Sequence, residues 1–380
     1  MLFNIQTIIK QKQIFKSKIN KISYNSMVEI IVGDKLNRLE HFRNGLFYIP
    51  SVILLDNIKY KIITNLENID DIPRGGFGLV IFYKHKHKKI AIKFINLTKL
   101  ENTKGKSNVK KAKKEVEILE ELKMKFQNTE CKKSIVNYIG NLSFSVKDHR
   151  YLMIVLDKMD MDLWDYIIQT QNKKIKLSII KKIMLQITKS LECLNKNGIV
   201  YNDMKPENIL INKINTDSRL TDFNCILKLE EEHQEEESKD FTGCSTSVYR
   251  SPEQIETAVS YDVKADSWQL GILFMCLLQK NPSSFIGSLS KQNKIDKYEL
   301  IKNLSETEIK RQFNVCKDNF IEFKNKDEFD NMQDLIIGLL QNDPKNRWSI
   351  SNVINSKFLK TKEKTIKKKS KLYKTTLKSL

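Results

Sequence analysis

The chain has 380 residues, of which 40% are hydrophobic and 29% are charged, a balance typical of a globular protein large enough for two lobes. The longest apolar run, Leu46 to Leu55, is interrupted by Pro and Ser and is too short for a membrane span, so we expect no transmembrane segment. The six cysteines are scattered without metal-binding spacing. This pattern argues against a disulfide framework or a zinc site and favours a reducing, cytoplasmic location, with the nucleus as the alternative.

The net charge of +20 is concentrated at the two ends of the chain. Residues 1–28 contain five Lys and no acid, and residues 361–380 contain eight Lys and one Glu. The chain is also rich in Lys, Asn and Ile, which are the residues that an AT-biased genome favours. The charge is therefore weak support for a nucleic-acid partner.

Strand patterns begin at Tyr60 and give way to helical patterns after residue 160. The segments YKIITNL, LVIFYK and KIAIKFI predict an antiparallel meander. A helix, VKKAKKEVEILEELKMKF, and two further strands, IVNYIGNLSF and YLMIVLDKM, follow. LSIIKKIMLQITKSLECL then predicts an amphipathic helix and DSWQLGILFMCLL a fully buried one. The order predicts an α+β protein with a small β-rich lobe and a larger helical lobe.

The segment from Ile199 to Leu210, IVYNDMKPENIL, carries the clearest chemical signal. It places the carboxylate of Asp203, the ammonium of Lys205 and the amide of Asn208 at fixed offsets between two apolar runs. Phosphoryl transfer needs such a set, because a hydroxyl must lose its proton, the moving phosphate must be neutralised and a metal ion must be held. The string resembles the catalytic loop of eukaryotic protein kinases.

Further motifs of that family occur in the expected order over residues 60–360. The resemblance implies a bilobal kinase fold with an N-lobe over residues 60–157 and a C-lobe over residues 158–360. Residues 1–59 are then an N-terminal extension of unknown role, and residues 361–380 are a basic tail.

A Gly-rich turn resembles the family's phosphate-binding loop, in which glycines let backbone amides approach phosphate oxygens. The first family glycine falls on Pro73, which lacks an N–H and fixes φ, so we expect a stiffer loop. The resemblance assigns ATP contacts in this turn to Arg74, Gly75, Gly76, Phe77, Gly78 and Val80.

Ala91-Ile92-Lys93 resembles the strand that carries the family's phosphate-binding Lys. This resemblance implies that Lys93 contacts the ATP phosphates and pairs with an acid on the next helix. Glu115 matches that acid by its spacing, and Glu117 is the alternative. The resemblance assigns the adenine pocket, with Leu156 beside it, to Val80, Ala91, Asp157, Met159 and Leu210.

The remaining roles also follow from the resemblance. Asp203 is the expected catalytic base and Lys205 the charge-neutralising residue. Asn208 and Asp222 are the expected Mg²⁺ ligands, the latter in Asp222-Phe223-Asn224, which resembles D-F-G. Thr246 matches the Thr that contacts the base and the Lys in serine/threonine kinases.

Three further positions depart from the family pattern. Tyr201 replaces a His and can still pack as an aromatic ring, whereas Asn224 replaces a Gly and tolerates left-handed dihedrals better than most residues. Asn202 replaces an Arg that pairs with a phosphate on the activation segment. Its absence predicts an enzyme that does not need that phosphate.

Three late motifs have structural roles in the family. Asp266, in DSWQLG, is expected to brace the catalytic loop. Glu253, in Ser-Pro-Glu, and Arg347, in DPKNR, are expected to form a buried ion pair.

The resemblance implies a serine/threonine kinase that phosphorylates protein substrates with ATP and Mg²⁺. A pseudokinase scaffold is the alternative, suggested by Pro73, Asn202 and Asn224. A kinase acting on small molecules or lipids is disfavoured by Thr246 and the Ser-Pro-Glu segment, which shape a peptide-docking surface in the family.

Two charged segments leave alternatives open. Residues 229–240 hold seven acids and one Lys. They form either a solvated loop or a substitute for a phosphate that pairs with Lys110, Lys111, Lys113 and Lys114. The tail over residues 361–380 is a solvated segment, a contact for nucleic acid or anionic membrane, or a partner of the acidic segment.

Overall fold

The computed structural model describes residues 21–22, 30–33, 35–41, 45–67, 72–75, 78–171, 175–229, 245–256, 262–281, 283, 285–319, 323 and 325–360. Gly76 and Phe77 of the Gly-rich turn, nearly all of the acidic segment and the whole basic tail lie outside these residues.

A nine-stranded antiparallel sheet forms the amino-terminal lobe, and a separate two-stranded hairpin accompanies it. The sheet strands are β1 (Lys21–Ile22), β2 (Ile30–Val32), β5 (Val52–Leu55), β6 (Ile58–Ile62), β7 (Arg74–Gly75), β8 (Gly78–His85), β9 (Lys88–Asn96), β10 (Tyr138–Val146) and β11 (His149–Asp157). The hairpin consists of β3 (Leu36–His41) and β4 (Gly45–Pro50). The sheet order is β1-β10-β11-β9-β8-β6-β5-β2, with β7 beside β8, which confirms the predicted meander.

The two faces of this sheet are covered by different parts of the chain. Side chains alternate between faces along a strand, so Phe94 and Ile95 of β9 enter different hydrophobic clusters. The face that carries Ile95 packs with the following helices and the helical lobe. The face that carries Phe94 packs with residues from β2 to β5, including Phe47 and Ile49 of the hairpin. Both faces of the sheet are therefore buried at β9.

Hydrogen bonds fix the hairpin on the sheet. The carbonyl of Leu46 accepts hydrogen bonds from Asn96 Nδ2 at 2.7 Å and from the Tyr151 hydroxyl at 3.0 Å. The Tyr83 hydroxyl donates to the carbonyl of Pro50 at 2.7 Å. The hairpin thus supplies acceptors to buried polar groups of the sheet, and the lobe contains ordered structure before residue 60.

Helices dominate the rest of the described chain. No described helix combines the length and the hydropathy of a membrane span. The helices are α1 (Leu97–Lys104), α2 (Lys106–Phe126), α3 (Leu163–Thr170), α4 (Leu177–Asn195), α5 (Pro252–Glu256), α6 (Lys264–Gln279), α7 (Phe285–Asn293), α8 (Lys297–Lys302), α9 (Glu306–Asn319), α10 (Lys326–Leu339) and α11 (Ile350–Ile354). Every residue of α6 from Ala265 to Leu278 is buried, which confirms the helix predicted as fully buried.

Short strands of the helical lobe hold the catalytic loop. They are β12 (Met161–Asp162), β13 (Ile199–Val200), β14 (Ile209–Ile211), β15 (Ser218–Leu220) and β16 (Leu227–Lys228). β13 precedes the loop and pairs with β16, while β14 follows the loop and pairs with β12 and β15. The loop is therefore anchored at both ends by strand pairing.

A disulfide joins Cys131 and Cys193, so the expectation of no structural disulfide is wrong for this pair. It connects the turn after α2 to the carboxyl end of α4. Beside it, the Val136 N–H donates to the carbonyl of Leu220 at 2.8 Å, and the Leu220 N–H donates to the carbonyl of Ser134 at 3.1 Å. The disulfide thus covalently closes a junction between the two lobes, which widely spaced cysteines in the sequence did not predict.

The predicted ion pair between Glu253 and Arg347 is confirmed. The terminal nitrogens of Arg347 lie 2.6 and 2.9 Å from the two carboxylate oxygens of Glu253. The Arg347 side chain is fully buried, and it also donates to the backbone carbonyls of Lys264 and Gln341. The pair ties α5 to the segment before α11.

Candidate active site

A buried cluster of charged side chains lies between the two lobes. Lys93, on the central strand β9, places its Nζ 2.8 Å from Glu115 Oε2 and 3.0 Å from Asp222 Oδ1. Burial alone lowers the pKa of Lys93, but the carboxylates of Asp222 and Glu115 outweigh it and raise the pKa above its usual value. Lys93 therefore stays protonated, and its two ion pairs connect β9 to α2 and to the loop that carries Asp222.

Helical periodicity explains why Glu115 faces the cleft. The buried residues Ala112, Val116, Leu119 and Leu122 recur at three- and four-residue steps along α2. Glu115 lies on the same face and is 2% exposed, whereas Glu117 points to solvent. Of the two candidates, Glu115 is thus the one that meets Lys93.

The catalytic loop brings four of the predicted residues into direct contact. Asp203 Oδ2 accepts hydrogen bonds from Lys205 Nζ and Asn208 Nδ2, each at 2.8 Å. Asp203 Oδ1 accepts from the Thr246 N–H and hydroxyl, each at 3.2 Å. Thr246 Oγ1 also accepts from Lys205 Nζ at 3.1 Å. Four donor groups from three residues therefore orient the Asp203 carboxylate.

The turn around Asp222 adopts the left-handed conformation, with φ of 59° at Asp222. Tyr201 supports this turn, because its ring meets Phe223 edge to face at 5.7 Å and its hydroxyl donates to the carbonyl of Thr221. Tyr201 is 1% exposed and so fills a packing position, as an aromatic replacement for the family's His was expected to do.

Asp266 fixes the start of the catalytic loop by accepting hydrogen bonds from its backbone. Its carboxylate accepts from the Tyr201 N–H at 2.9 Å and from the Asn202 N–H at 2.8 Å. Asn195 Nδ2 donates to it at 3.2 Å. Burial raises the pKa of Asp266 to about 6, while these hydrogen bonds act in the opposite direction.

The Gly-rich turn is only partly described. Arg74 and Gly75 form β7, which pairs with the start of β8, and the Val80 N–H donates to the carbonyl of Pro73 at 2.8 Å. A Cβ added at Gly78 would lie 2.0 Å from the carbonyl oxygen of Phe94. Because β9 approaches so closely, position 78 requires a glycine for packing, independently of any role in binding a ligand.

The residues expected around adenine lie where β11 leaves the sheet. Ala91 pairs with Leu156 across β9 and β11, and Ala91, Val80 and Leu210 are all partly buried. The Asp157 N–H donates to the carbonyl of Asn137 at 3.0 Å, and the carbonyl of Met159 accepts from Lys158 Nζ at 3.1 Å.

The oxygens of Asn208 and Asp222 fit the preference of Mg²⁺ for hard ligands. The Asn208 NH₂ group donates to both the carbonyl and the carboxylate of Asp203, each at 2.8 Å. Its amide oxygen is therefore the atom left to face a cation. In such sites nucleotide phosphates supply further ligands, so two protein oxygens are sufficient.

Sequence reasoning missed two glutamines beside this cluster. Gln254 Nε2 donates to Asn202 Oδ1 at 2.7 Å, and Gln269 Oε1 accepts from the Met204 N–H at 2.8 Å. The sequence identifies Asn202 only as a departure from the family, and it indicates no role for Gln254 or Gln269. The available signal was an amide side chain inside the otherwise apolar stretch WQLGILF of α6.

Comparison with known proteins agrees with this geometry. Residues 66–359 match the model of the protein kinase domain family. Serine/threonine-protein kinase unc-51 of Caenorhabditis elegans is 31% identical over 306 residues, which cover 76% of this chain and 31% of that protein. cGMP-dependent protein kinase 2 of Rattus norvegicus is 31% identical over 221 residues, covering 57% and 26% of the two chains. An Aurora kinase of Saccharomyces cerevisiae is 33% identical over 168 residues, covering 44% and 38%.

The matched parts of these relatives are well under half of their own lengths.

Proposed function

Since this chain belongs to the protein kinase family, we propose that it is an ATP- and Mg²⁺-dependent serine/threonine kinase that phosphorylates protein substrates. One observation carries the proposal. Lys93 contacts Glu115 and Asp222 at the same time, so the strand, the helix and the metal-binding loop have the relative positions that phosphoryl transfer requires.

The acceptor side of the site supports a Ser or Thr hydroxyl as the substrate. Asp203 takes the proton of the attacking hydroxyl as the oxygen–phosphorus bond forms and the bond to ADP breaks. Lys205, held at 2.8 Å from Asp203, neutralises charge on the moving phosphoryl group. Thr246 contacts both residues and so links the substrate-facing segment to the base.

The nucleotide side of the site uses Lys93, Asn208 and Asp222. Mg·ATP supplies the phosphoryl group and a cation that spreads the phosphate charge. Lys93 binds the phosphates while Glu115 keeps its ammonium in place. The oxygens of Asn208 and Asp222 would hold the metal. The backbone of Asp157 and Met159 and the side chains of Val80, Ala91 and Leu210 enclose the base.

The test is radiolabelled phosphate transfer from Mg·ATP to a panel of generic proteins, followed by phosphoamino-acid analysis. The wild type should label Ser or Thr, and Asp222→Asn should lose transfer by about a hundredfold or more. Asp327→Asn, an exposed change at the start of α10, is the matched control and should behave like the wild type. Labelling of Tyr alone would contradict the proposed specificity.

A nucleotide-binding scaffold without transfer is the second candidate. The departures at Pro73, Asn202 and Asn224 favour it, while the presence of Lys93 and Asp222 in one cluster favours the enzyme. Binding of Mg·ATP by the wild type without transfer to any substrate would establish the scaffold.

A further inference from the structure

An ammonium group lies beside the segment that contacts Asp203. Lys297, the first residue of α8, donates from its Nζ to the Ser247 hydroxyl oxygen at 2.9 Å. Ser247 follows Thr246, whose hydroxyl donates to the Asp203 carboxylate at 3.2 Å. The cation is therefore about one residue away from the place where, in the proposed reaction, the acceptor hydroxyl gives up its proton.

The start of α8 holds Lys297 in this position. The side chain of Asp296 caps the helix by accepting hydrogen bonds from the Tyr298 and Glu299 N–H groups, which fixes where the helix begins. Lys297 is partly buried, and its Nζ lies 5.0 Å from the centre of the Tyr298 ring, within the range of a cation–π contact. The ammonium is thus directed towards Ser247.

Lys297 forms no ion pair with any residue that the structure describes. Its contacts there are the Ser247 hydroxyl and the Tyr298 ring. An ammonium has three hydrogen-bond donors, and a single hydroxyl oxygen uses one of them. A partly buried cation without an anion also loses hydration that no partner offsets. The charge of Lys297 and its remaining donors are therefore suited to an anionic group that arrives with a ligand.

A second cation contacts the same segment. Arg250 donates from Nε and Nη2 to the Ser245 carbonyl at 3.3 and 3.1 Å, and from Nε to the Ser245 hydroxyl at 3.2 Å. No carboxylate within the described ranges forms an ion pair with it. Lys205 differs, because its Nζ is paired with Asp203 at 2.8 Å. The residues on both sides of Thr246 are thus each bound by a cation that no described carboxylate neutralises.

The positive charge is local, because carboxylates lie together at another part of the site. Burial, and then the carboxylates of Asp165 and Glu207, raise the pKa of Asp162 to about 6, so these three acids are close neighbours. Glu207 lies two residues after Lys205. A peptide in the site therefore meets acids at one part and cations at another, and an acidic side chain is attracted only by the second.

We propose that Lys297, supported by Arg250, selects protein substrates that carry Asp or Glu directly beside the acceptor Ser or Thr, on one side only. The substrate carboxylate accepts a charge-assisted hydrogen bond from Lys297 Nζ. Neighbouring Cα atoms are about 3.8 Å apart, the same step that separates Thr246 from Ser247, so the residue next to the acceptor lies level with Lys297. This inference rests on the proposed kinase function and names its substrate class.

The test uses two sets of peptides with a central Ser and only uncharged residues elsewhere. One set has Glu, Gln or Lys directly before the Ser, and the other has them directly after it. In one set alone, we expect the wild-type kcat/KM to be about fivefold to thirtyfold higher for Glu than for Gln. Lys297→Met should lower this ratio to about twofold or less. Lys291→Met, which removes the same charge from an exposed position in the last turn of α7, should retain the wild-type ratio.

Charge reversal separates a direct contact from a structural effect. Lys297→Glu should prefer Lys to Gln at the same peptide position and disfavour Glu, whereas a variant that only disturbs α8 would lower kcat/KM for all three peptides alike. Lys297→Arg keeps the charge and should keep the preference for Glu. A wild-type ratio near one in both sets, or a ratio that survives Lys297→Met, overturns the inference.

A binding measurement keeps this inference separate from the proposed function. Peptides with Ala in place of the acceptor Ser are titrated with the full chain by fluorescence polarisation. The wild type should bind the Glu version about fivefold or more tightly than the Gln version, and Lys297→Met should not distinguish them. If generic proteins are labelled but the Glu-to-Gln ratios are near one, this inference alone fails. If no protein is labelled, the proposed function fails, and the binding difference still decides whether Lys297 holds an acidic peptide.

Discussion

Lys93 and Glu115 meet inside the cleft with Nζ at 2.8 Å from Oε2, and both side chains are almost fully buried. The pair fixes α2 against the sheet, and its geometry leaves Lys93 a second contact, to Asp222. Glu115→Gln removes the charge and keeps the shape, so Lys93 should shift towards Asp222. We expect kcat/KM for ATP to fall about tenfold to a hundredfold in steady-state transfer assays.

Glu117→Gln is the matched control for that change, because Glu117 lies two residues away on the exposed face of α2. It should retain wild-type kinetics. Equal losses in the two variants would mean that the Lys93–Glu115 contact does not orient the nucleotide site.

The buried pair of Glu253 and Arg347 should stabilise the helical lobe. Arg347→Met leaves the Glu253 carboxylate without its bidentate partner, and breaking a buried pair in this way costs about 3–5 kcal/mol of unfolding free energy. Urea denaturation measures the loss. Arg311→Met, which breaks an exposed pair with Glu308, should leave the unfolding midpoint unchanged. A similar midpoint for both variants would contradict this role.

The hairpin of β3 and β4 should be part of the folded core of the amino-terminal lobe. Phe47 is 0% exposed and contacts Tyr151 at a ring distance of 6.1 Å, so Phe47→Ala should cost about 3–5 kcal/mol in chemical denaturation. Arg38→Ala, at an exposed position of the same hairpin, is the control. A wild-type unfolding curve for Phe47→Ala would show that the lobe does not depend on residues before position 60.

The disulfide of Cys131 and Cys193 should stabilise the junction between the lobes. The cysteines are 62 residues apart, and the chain-entropy relation gives about 4 kcal/mol for a loop of that size. The double variant Cys131→Ser/Cys193→Ser should therefore unfold at lower denaturant than the oxidised wild type. Under a reductant the two proteins should unfold alike, and a persisting difference would assign the effect to side-chain packing.

Asp162 should make stability depend on pH. Burial raises its pKa from 3.8 to about 6, and the nearby carboxylates of Asp165 and Glu207 act in the same direction. The folded protein therefore holds this proton more tightly than the unfolded chain, and stability falls as pH rises from about 4 to about 6. Asp162→Asn keeps the cap on the Asp165 N–H and removes the charge.

We expect Asp162→Asn to be more stable than the wild type by about 1 kcal/mol at about pH 7.5, a figure reduced for solvent screening of a partly exposed group. The difference should nearly vanish at about pH 4, where the wild-type carboxyl is protonated in the folded state. Thermal denaturation across this range measures it. Asp296→Asn, at the exposed cap of α8, is the control, and a constant gain at every pH would refute the assignment.

The sequence alone determined those parts of the protein that depend on short spacings. The alternation in KIAIKFI predicted β9, the three- and four-residue steps around Glu115 predicted α2, and the run from Asp203 to Asn208 predicted the chemistry. Each signal lies within about one helix or one loop, where backbone periodicity fixes which side chains share a face. These short signals predicted the fold class, and the candidate active-site residues followed from the resemblance to the protein kinase family that the signals carry.

The tertiary structure alone decided the contacts between distant segments. Gln254 meets Asn202 across 52 residues, Leu46 meets Tyr151 across 105, and Cys131 meets Cys193 across 62. From the sequence, the apolar run from Leu46 to Leu55 indicated only that it is too short for a membrane span. In the structure this run contributes to the hairpin and to the sheet. Such contacts depend on which surfaces pack together. The hydrophobic effect has no preferred direction, so many pairings of apolar surfaces are about equally favourable until the whole chain is folded.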